Sequence, residues 1–407
     1  MRYGVLSLLC LATVIAYLQR SALAVPTKTI EAELGITSAE MGWVMGAWYW
    51  GYALCQIPAG RVADRLGSKL ALVLFVTLWS GLTGIVGLSS NLVGLLILWG
   101  LMGCAQSGMF PCATKMIGGI FPGTERAFAS GMLACCMAMG AAISPVLTGA
   151  LLGPISWQWI LALYSIPGFL WAVVFIWLMP RTDAALRLSA ASLHTVPSRV
   201  RWGKMVTDSN MQLLCLQQFL RAGATVFFFT WFPRFLQETR NLSEENAGIF
   251  GAWPLVGGML GGLCGGVISD WLLKRTGNPR LSRQGLAMVA MIVCASVALI
   301  AFFISDPVIA VLLISVGAFC GYVGGVSAYA TAITMGGKQV ATVFATMNMC
   351  GNIGGALFPM AVGWIVKLTG NWNLALLLYA CLFAADAVCW AFLNPKGTLF
   401  DEPDEHR

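Results

Sequence analysis

Twelve apolar stretches, each close to the ~20 residues needed to cross hydrocarbon, recur from one end of this 407-residue chain to the other. They fall at roughly 4–25, 40–59, 69–88, 91–113, 127–153, 157–179, 211–236, 246–272, 283–304, 307–335, 339–366 and 371–394. Hydrocarbon offers no partner to a backbone N–H or C=O, so membrane helices must satisfy their own hydrogen bonds. The chain therefore reads as an all-α membrane protein with many spans. Composition agrees, with 58% of residues hydrophobic and only 10% charged. The first stretch ends in Ala22-Leu23-Ala24 but carries Arg20, so it reads as the first span and not as a cleavable signal.

The net charge of +7 invites a nucleic-acid reading, but the position of the charges gives a better one. With both termini cytoplasmic, Lys28, Arg234, Arg240 and Lys367 fall outside, and Arg20 and Arg221 fall within the membrane. Every other Lys and Arg then lies on the cytoplasmic side, which is the positive-inside bias. The expected setting is a plasma membrane, the inner membrane of a bacterium, with the lipid bilayer as partner and no nucleic acid. The 13 cysteines lie in or near the spans with no CxxC-type spacing, so they read as small packing residues; no metal and no cofactor are expected.

The longest polar interruption, about 180–210, is rich in Arg and Ser. It divides the chain into an N-terminal bundle (1–179), a cytoplasmic linker (180–210), a C-terminal bundle (211–394) and a cytoplasmic tail (395–407). A repeated motif supports the division. Gly60, Asp64, Arg65, Gly67 and Lys69 follow the second span; Gly266 and Asp270, then Lys274, Arg275 and Gly277, follow the eighth, about half a chain later. Repeated halves mark secondary transporters, whose substrate site lies near the midplane. Gly60 and Gly67 suit a tight turn and close helix approach. Asp64 suits the positive end of a facing helix, with Arg65 and Lys69 holding the loop at the cytoplasmic face. Gly60, Asp64, Arg65, Gly67 and Asp270 are thus expected to form a conformational latch. Glycines 257, 261 and 265, and 258, 262 and 266, form two small-residue ladders suited to close helix contact, as do Gly351, Gly354 and Gly355.

Arg20 and Arg221 stand inside spans that hold almost no acid. An intramembrane charge costs several kcal/mol unless it faces a bundle interior or a water-filled cavity, so each is a functional candidate. Snorkelling to the outer interface is the alternative for Arg20. Arg221 lies about 15 Å along its span, at ~1.5 Å per residue, too deep for that escape. Guanidinium groups take carboxylates and phosphates through paired hydrogen bonds, so the two arginines predict a site for a small anion. Trp43, Trp48, Tyr49, Trp50 and Tyr52 supply aromatic wall, although at helical spacing only some face one cavity.

Halves, loop motif and its second copy together resemble the major facilitator superfamily. Within it the chain is most similar to the anion:cation symporter group of bacterial sugar-acid transporters and vesicular glutamate and lysosomal sialic-acid carriers. The matching stretches are Met41 to Tyr52, Gln56 to Gly60, Asp64 to Gly67, Phe121 to Arg126, Trp157 to Trp159, Phe227 to Pro233 and Asn348 to Gly355. The resemblance implies a twelve-helix fold of two pseudo-symmetric six-helix bundles, alternating access and a monomer; with no metal-ligand cluster or nucleophile–base pair in the spans and both histidines outside them, no enzymatic activity is expected. It also implies substrate-site roles for Arg20, Tyr17, Tyr52, Gln218, Tyr329, and Asn348 or Asn352.

The chain departs from that group at two acids. Sugar-acid symporters carry an aspartate before the first-helix arginine and a glutamate in the fourth helix, both tied to proton coupling; here they are Gln19 and Gln106. Both amides are counted with the candidate binding residues, as is Arg221, an addition to the group's pattern. Asp386 is the one acid well inside a span. The twelfth helix is peripheral in the superfamily, so Asp386 is expected to make a local ion pair or hydrogen bond near the cytoplasmic side, with proton coupling as the alternative. The expected activity is facilitated transport or exchange of a small organic anion, most simply a carboxylate. An organophosphate exchanger and an anion receptor without flux are the rivals.

Overall fold

The computed structural model describes residues 2–121, 123–179, 202–336, 340–394 and 399. No strand occurs among them. The helices are α1 (Arg2–Arg20), α2 (Thr27–Leu34), α3 (Ser38–Leu66), α4 (Ser68–Val86), α5 (Leu92–Gln106), α6 (Met109–Ile120), α7 (Gly123–Leu151), α8 (Trp157–Leu178), α9 (Trp202–Thr207), α10 (Ser209–Val226), α11 (Phe232–Arg240), α12 (Glu244–Thr276), α13 (Leu286–Phe303), α14 (Pro307–Gly336), α15 (Val340–Thr369) and α16 (Asn373–Phe392). Ten described helical segments are long and apolar enough to cross a membrane, or eleven if a bent pair counts as one span. The expected second span is α3, 29 residues long, whose aromatic residues and terminal charges make it less apolar than its neighbours. The expected 180–210 linker and the 395–407 tail lie mostly outside the described residues.

Local signals place the helix ends. Thr37 and Glu40 form a reciprocal capping box at the start of α3, which satisfies N–H groups with no intrahelical partner. Gly35, Gly67 and Gly277 turn the chain at helix ends with positive φ. The expected seventh span, 211–236, is not one helix. A 3₁₀ turn at Phe227–Phe229 and a 62° bend separate α10 from α11. Pro233 has no N–H and its ring crowds the carbonyl four residues back, so the helix cannot run through it.

The chain forms two compact units. The first comprises Met1–Val196, Phe228–Ala252 and Pro359–Gly370; the second comprises Pro197–Phe227, Trp253–Phe358 and Asn371–Arg407. In the first unit α3 and α5 pack backbone to backbone. A Cβ at Gly103 would lie 2.0 Å from the Trp48 carbonyl oxygen, and one at Gly51 2.1 Å from that of Gly100. In the second unit α12 meets α14 in the same way, where a Cβ at Gly261 would lie 2.1 Å from the Phe319 carbonyl oxygen. These pairs are the second and fourth spans of each half, so the repeat reappears in the packing. Of the two expected ladders, 257/261/265 makes the seam. In the other, Gly258 faces the Tyr322 ring, whereas Gly262 has open space.

The first unit also contains a tightly packed seal. Gly248 abuts the Pro145 carbonyl, Gly42 that of Pro359, and Gly363 that of Ser38. Trp231 Nε1 donates to the Pro359 carbonyl oxygen at 3.0 Å, and Gln237 Nε2 to that of Val25 at 3.3 Å. Arg234 on α11 lies 3.5 Å from a carboxylate oxygen of Glu31 on α2 and 3.1 Å from one of Glu238.

The latch motif is only partly as expected. Gly67 does make a positive-φ turn between α3 and α4. No atom lies within 4 Å of a Cβ at Gly60 or Gly67, so close helix approach is not their role. Arg65 and Asp270 are exposed and make no ion pair among the described residues. The side chain of Asp64 lies outside the described residues. Lys69 reaches across to the carbonyl of Met179 at the end of α8.

Candidate functional site

Arg20 ends α1, where the chain leaves helical geometry and the side chain can turn inward. Its guanidinium carbon lies 3.9 Å from the centroid of Trp48, 4.7 Å from Tyr49, 5.1 Å from Tyr17 and 5.5 Å from Phe229. Trp48 and Tyr49 come from α3, and Tyr52 extends the wall by stacking on Trp48 at 5.1 Å. Trp43 faces outward, 45% exposed. The cage places Arg20 inside the protein, against the snorkelling alternative. Ring faces attract a cation by about 0.5–2 kcal/mol each but occupy none of its N–H donors. Nε is buried without a hydrogen-bond partner, and no described carboxylate pairs with the group. A cavity of about 10 Å³ adjoins it, lined by Trp99 and Thr230 as well as Trp48, Tyr49 and Phe229, space for about one water.

Gln19, one residue earlier, points elsewhere. It is fully buried and its Nε2 donates to the Tyr164 carbonyl oxygen at 2.7 Å and to Ser80 Oγ at 3.3 Å, tying α1 to α8 and α4. Gln106 Nε2 likewise donates to the Ala16 carbonyl oxygen at 3.0 Å, tying α5 to α1. Each amide serves a carbonyl acceptor, which an ionised carboxylate cannot do. Both candidates for substrate binding thus also tie helices together in this structure.

In the second unit Arg221 is 6% exposed. Its Nη2 donates to Gln218 Oε1 at 2.6 Å, one turn earlier on α10. Gly325 of α14 leaves room for the guanidinium, since a Cβ there would lie 2.7 Å from Nη1. The Tyr329 ring lies 5.9 Å away, and Gly351 of α15 packs against Gln218. Arg221, Gln218 and Tyr329 thus form one group. Asn348 and Asn352 flank Gly351, but Asn352 Nδ2 donates to the carbonyl of Asn348 on its own helix. No hydrogen bond joins either asparagine to Arg221 among the described residues.

Asp386 differs from expectation. It is fully buried on α16, and neither carboxyl oxygen has a hydrogen-bond partner. It makes no ion pair among the described residues, so the local bonding role is not fulfilled. The helical face it shares with Tyr379, Phe383 and Trp390 is turned into the protein.

Sequence reasoning also missed the charged cluster of the seal, because Arg234 counts there only as an outer loop cation. Glu31, on α2 outside the spans, is pushed up to about 7. Burial is the main cause; Arg234 opposes it and Glu238 adds to it. Phe229 and Thr230 were missed as cage and cavity residues, although they lie within a stretch singled out by resemblance.

Comparison with known proteins fits this geometry. Residues 9–332 match the family model described as Major Facilitator Superfamily. The hexuronate transporter of Bacillus subtilis is 30% identical over 96% of this chain and 94% of that protein. The probable sulfoacetate transporter of Cupriavidus necator is 28% identical over 99% of this chain and 96% of its own length. A bacterial homolog of the human lysosomal transporter Spinster, solved inward-facing and unoccupied, has the same fold with a TM-score of 0.75. It is 20% identical and covers 96% of this chain and 94% of that one. With a family model over most of its length and full-length relatives within it, this chain belongs to the major facilitator superfamily.

Proposed function

We propose that this protein carries small organic acids across a bacterial inner membrane by alternating access, with both termini in the cytoplasm. Arg20 takes the acid group in the first unit, and Arg221 is the corresponding cation of the second. The observation that carries the reading is the Arg20 cage. The guanidinium lies among ring faces and a Tyr49 hydroxyl, and its Nε has no hydrogen-bond partner, so it keeps donors for a ligand, and planar paired donors fit a carboxylate or sulfonate. The solutes named for the relatives, hexuronates and sulfoacetate, are acids of this kind. Gln19 and Gln106 stand where sugar-acid symporters place acids and are used for packing, so exchange does not depend on those positions. The seal on the first unit closes one end of the path and must open in each cycle.

The test is a thermal-shift panel on the purified protein with D-glucuronate, D-glucarate, D-galactonate, sulfoacetate and glycerol 3-phosphate. At least one carboxylate or sulfonate raises the unfolding temperature, and Arg20→Met abolishes the shift. Stabilisation by the phosphate ester alone would replace this reading with that of an organophosphate carrier.

A further inference from the structure

In the second unit, α13 and α16 leave a groove between them that the organic-acid reading does not use. Its volume is about 520 Å³, and it runs from Met288 and Ala391 at one end to Leu299 and Leu377 at the other. Small residues form its floor: Ala380 and Ala387 of α16 are buried, and Ala295 of α13 is half-buried. Ile292, Leu299 and Val388 stand exposed along its rims. Both helices are long and apolar enough to cross a membrane, so these walls meet hydrocarbon.

The dimensions suit a hydrocarbon chain and not a helix. Met288 to Leu299 is a rise of about 16 Å at ~1.5 Å per residue. Half the hydrocarbon thickness, the depth of one leaflet, is ~15 Å. A helix with its side chains is about 10–12 Å across, so 16 Å of it would fill over ~1,200 Å³, more than twice the groove. A single lipid tail fits both the length and the width.

The two ends differ in charge. At the Met288 and Ala391 end, α13 is entered through the π-helical turn Arg280–Gly285. This wider turn brings two side chains to the end of α16. Gln284 Nε2 donates to the Ala391 carbonyl oxygen at 2.9 Å, and Arg280 Nε to Asn394 Oδ1 at 3.4 Å. Gln284 thus satisfies one of the last carbonyls of α16, which lack an intrahelical donor. Arg283 of the same turn is engaged by the Ala330 carbonyl and Thr334 Oγ1. Arg280 is exposed, and among the described residues no carboxylate pairs with it and its Nη groups make no hydrogen bond. At the other end, α13 runs out into Ile304, Ser305 and Asp306, and α16 begins at Asn373, with no cation in either stretch.

We propose that the groove holds one acyl chain of an anionic phospholipid and that Arg280 takes the phosphate of that lipid. The lipid belongs to the leaflet on the Arg280 side, where the proposed topology also places both termini. The guanidinium offers the phosphate paired N–H donors at the level where long cationic side chains meet the membrane interface. A second copy of this chain laid across the rims would leave the floor empty and Arg280 without an anion.

The test uses the full-length protein in phosphatidylcholine proteoliposomes. A trace of phosphatidylglycerol or phosphatidylcholine carries a photoreactive diazirine in one acyl chain, and labelled peptides are mapped by mass spectrometry. Labelling of 288–299 and 377–391 is measured against labelling of the lipid-facing residues of α8. The wild-type groove is expected to favour the phosphatidylglycerol probe about fivefold, the worth of one arginine at an anionic surface. Arg280→Gln is expected to bring both probes to the same level. Ala384→Phe, at an exposed position of the groove, fills it and is expected to lower labelling by both probes; it covers the case in which the Arg280 variant fails to fold. Equal labelling of the wild type by the two probes overturns the proposal, as does a preference that survives Arg280→Gln or a groove signal unmoved by Ala384→Phe. A groove shielded from both probes until the protein is diluted to one copy per vesicle shows a second copy on this face and overturns it as well.

Discussion

Raising the pH from 5 to 8 should open the seal of the first unit, and Glu31 sets the size of the effect. Its carboxyl is pushed from 4.5 to about 7 in the sealed arrangement, burial outweighing the attraction of Arg234. When the seal opens and Glu31 is solvated, it returns to the ordinary range. An acid whose value is raised in one state stabilises that state fully below its ordinary value and ceases to do so as pH climbs through the raised one. At ~1.4 kcal/mol per unit, ionising Glu31 costs the seal about 3 kcal/mol in all. Relative to a permanently neutral Glu31→Gln protein, the opening constant is then about 4-fold larger at pH 5 and about 300-fold larger at pH 8. The ratio therefore climbs ~70-fold across that range. The assay places a thiol in the seal by Val25→Cys, where the side chain is fully buried, and follows its modification by a maleimide with peptide-resolved mass spectrometry. Comparing proteins with and without the Glu31→Gln change at each pH cancels the reagent's own pH dependence. A flat ratio, or one that falls with pH, would show that the pairing with Arg234 dominates and would refute the argument.

Three further outcomes follow from the packing. Gly103→Ala puts a methyl 2.0 Å from the Trp48 carbonyl oxygen, and Gly261→Ala puts one 2.1 Å from that of Phe319; each should cost about 1–3 kcal/mol through overpacking. Gly262→Ala, with open space around it, should be neutral or gain up to ~1 kcal/mol of helix propensity; thermal unfolding in detergent separates the three. Gln19→Glu turns a donor into an acceptor facing the Tyr164 carbonyl, so it should destabilise the first unit by about 1–3 kcal/mol near neutral pH and less at pH 5, again read by unfolding temperature. Trp231→Phe removes the indole donor to the Pro359 carbonyl and should weaken the seal by about 0.5–1.5 kcal/mol, seen as faster labelling of the Val25→Cys thiol.

Much of the fold was legible because hydrocarbon imposes a length and a polarity on every crossing segment. Those rules find the helices but not their rotations. The sequence marks Asp386 as an acid within a span; only the packing of α16 shows that its face turns inward. Gln19 adjoins Arg20 along the chain, yet adjacent helical residues point about 100° apart, and here one joins a helix seam while the other enters an aromatic cage. The ladder 257/261/265 was visible as spacing, whereas its twin 258/262/266 has the same spacing without the continuous seam. Arg20 and Arg221 were legible because a charge in an apolar run is conspicuous. Arg234 sits at the end of a span, where a cation attracts no notice, and its burial depends on Glu31, far away along the chain.

The measurement that bears most directly on the account is counterflow of a labelled organic acid into proteoliposomes holding the wild type, Arg20→Met or Arg20→Lys. Counterflow is expected for the wild type and none for Arg20→Met, although methionine suits the cage and the protein stays folded. Arg20→Lys should fall at least tenfold, because an ammonium group lacks the paired planar donors. Undiminished counterflow by a folded Arg20→Met protein would contradict the claim that Arg20 holds the acid group.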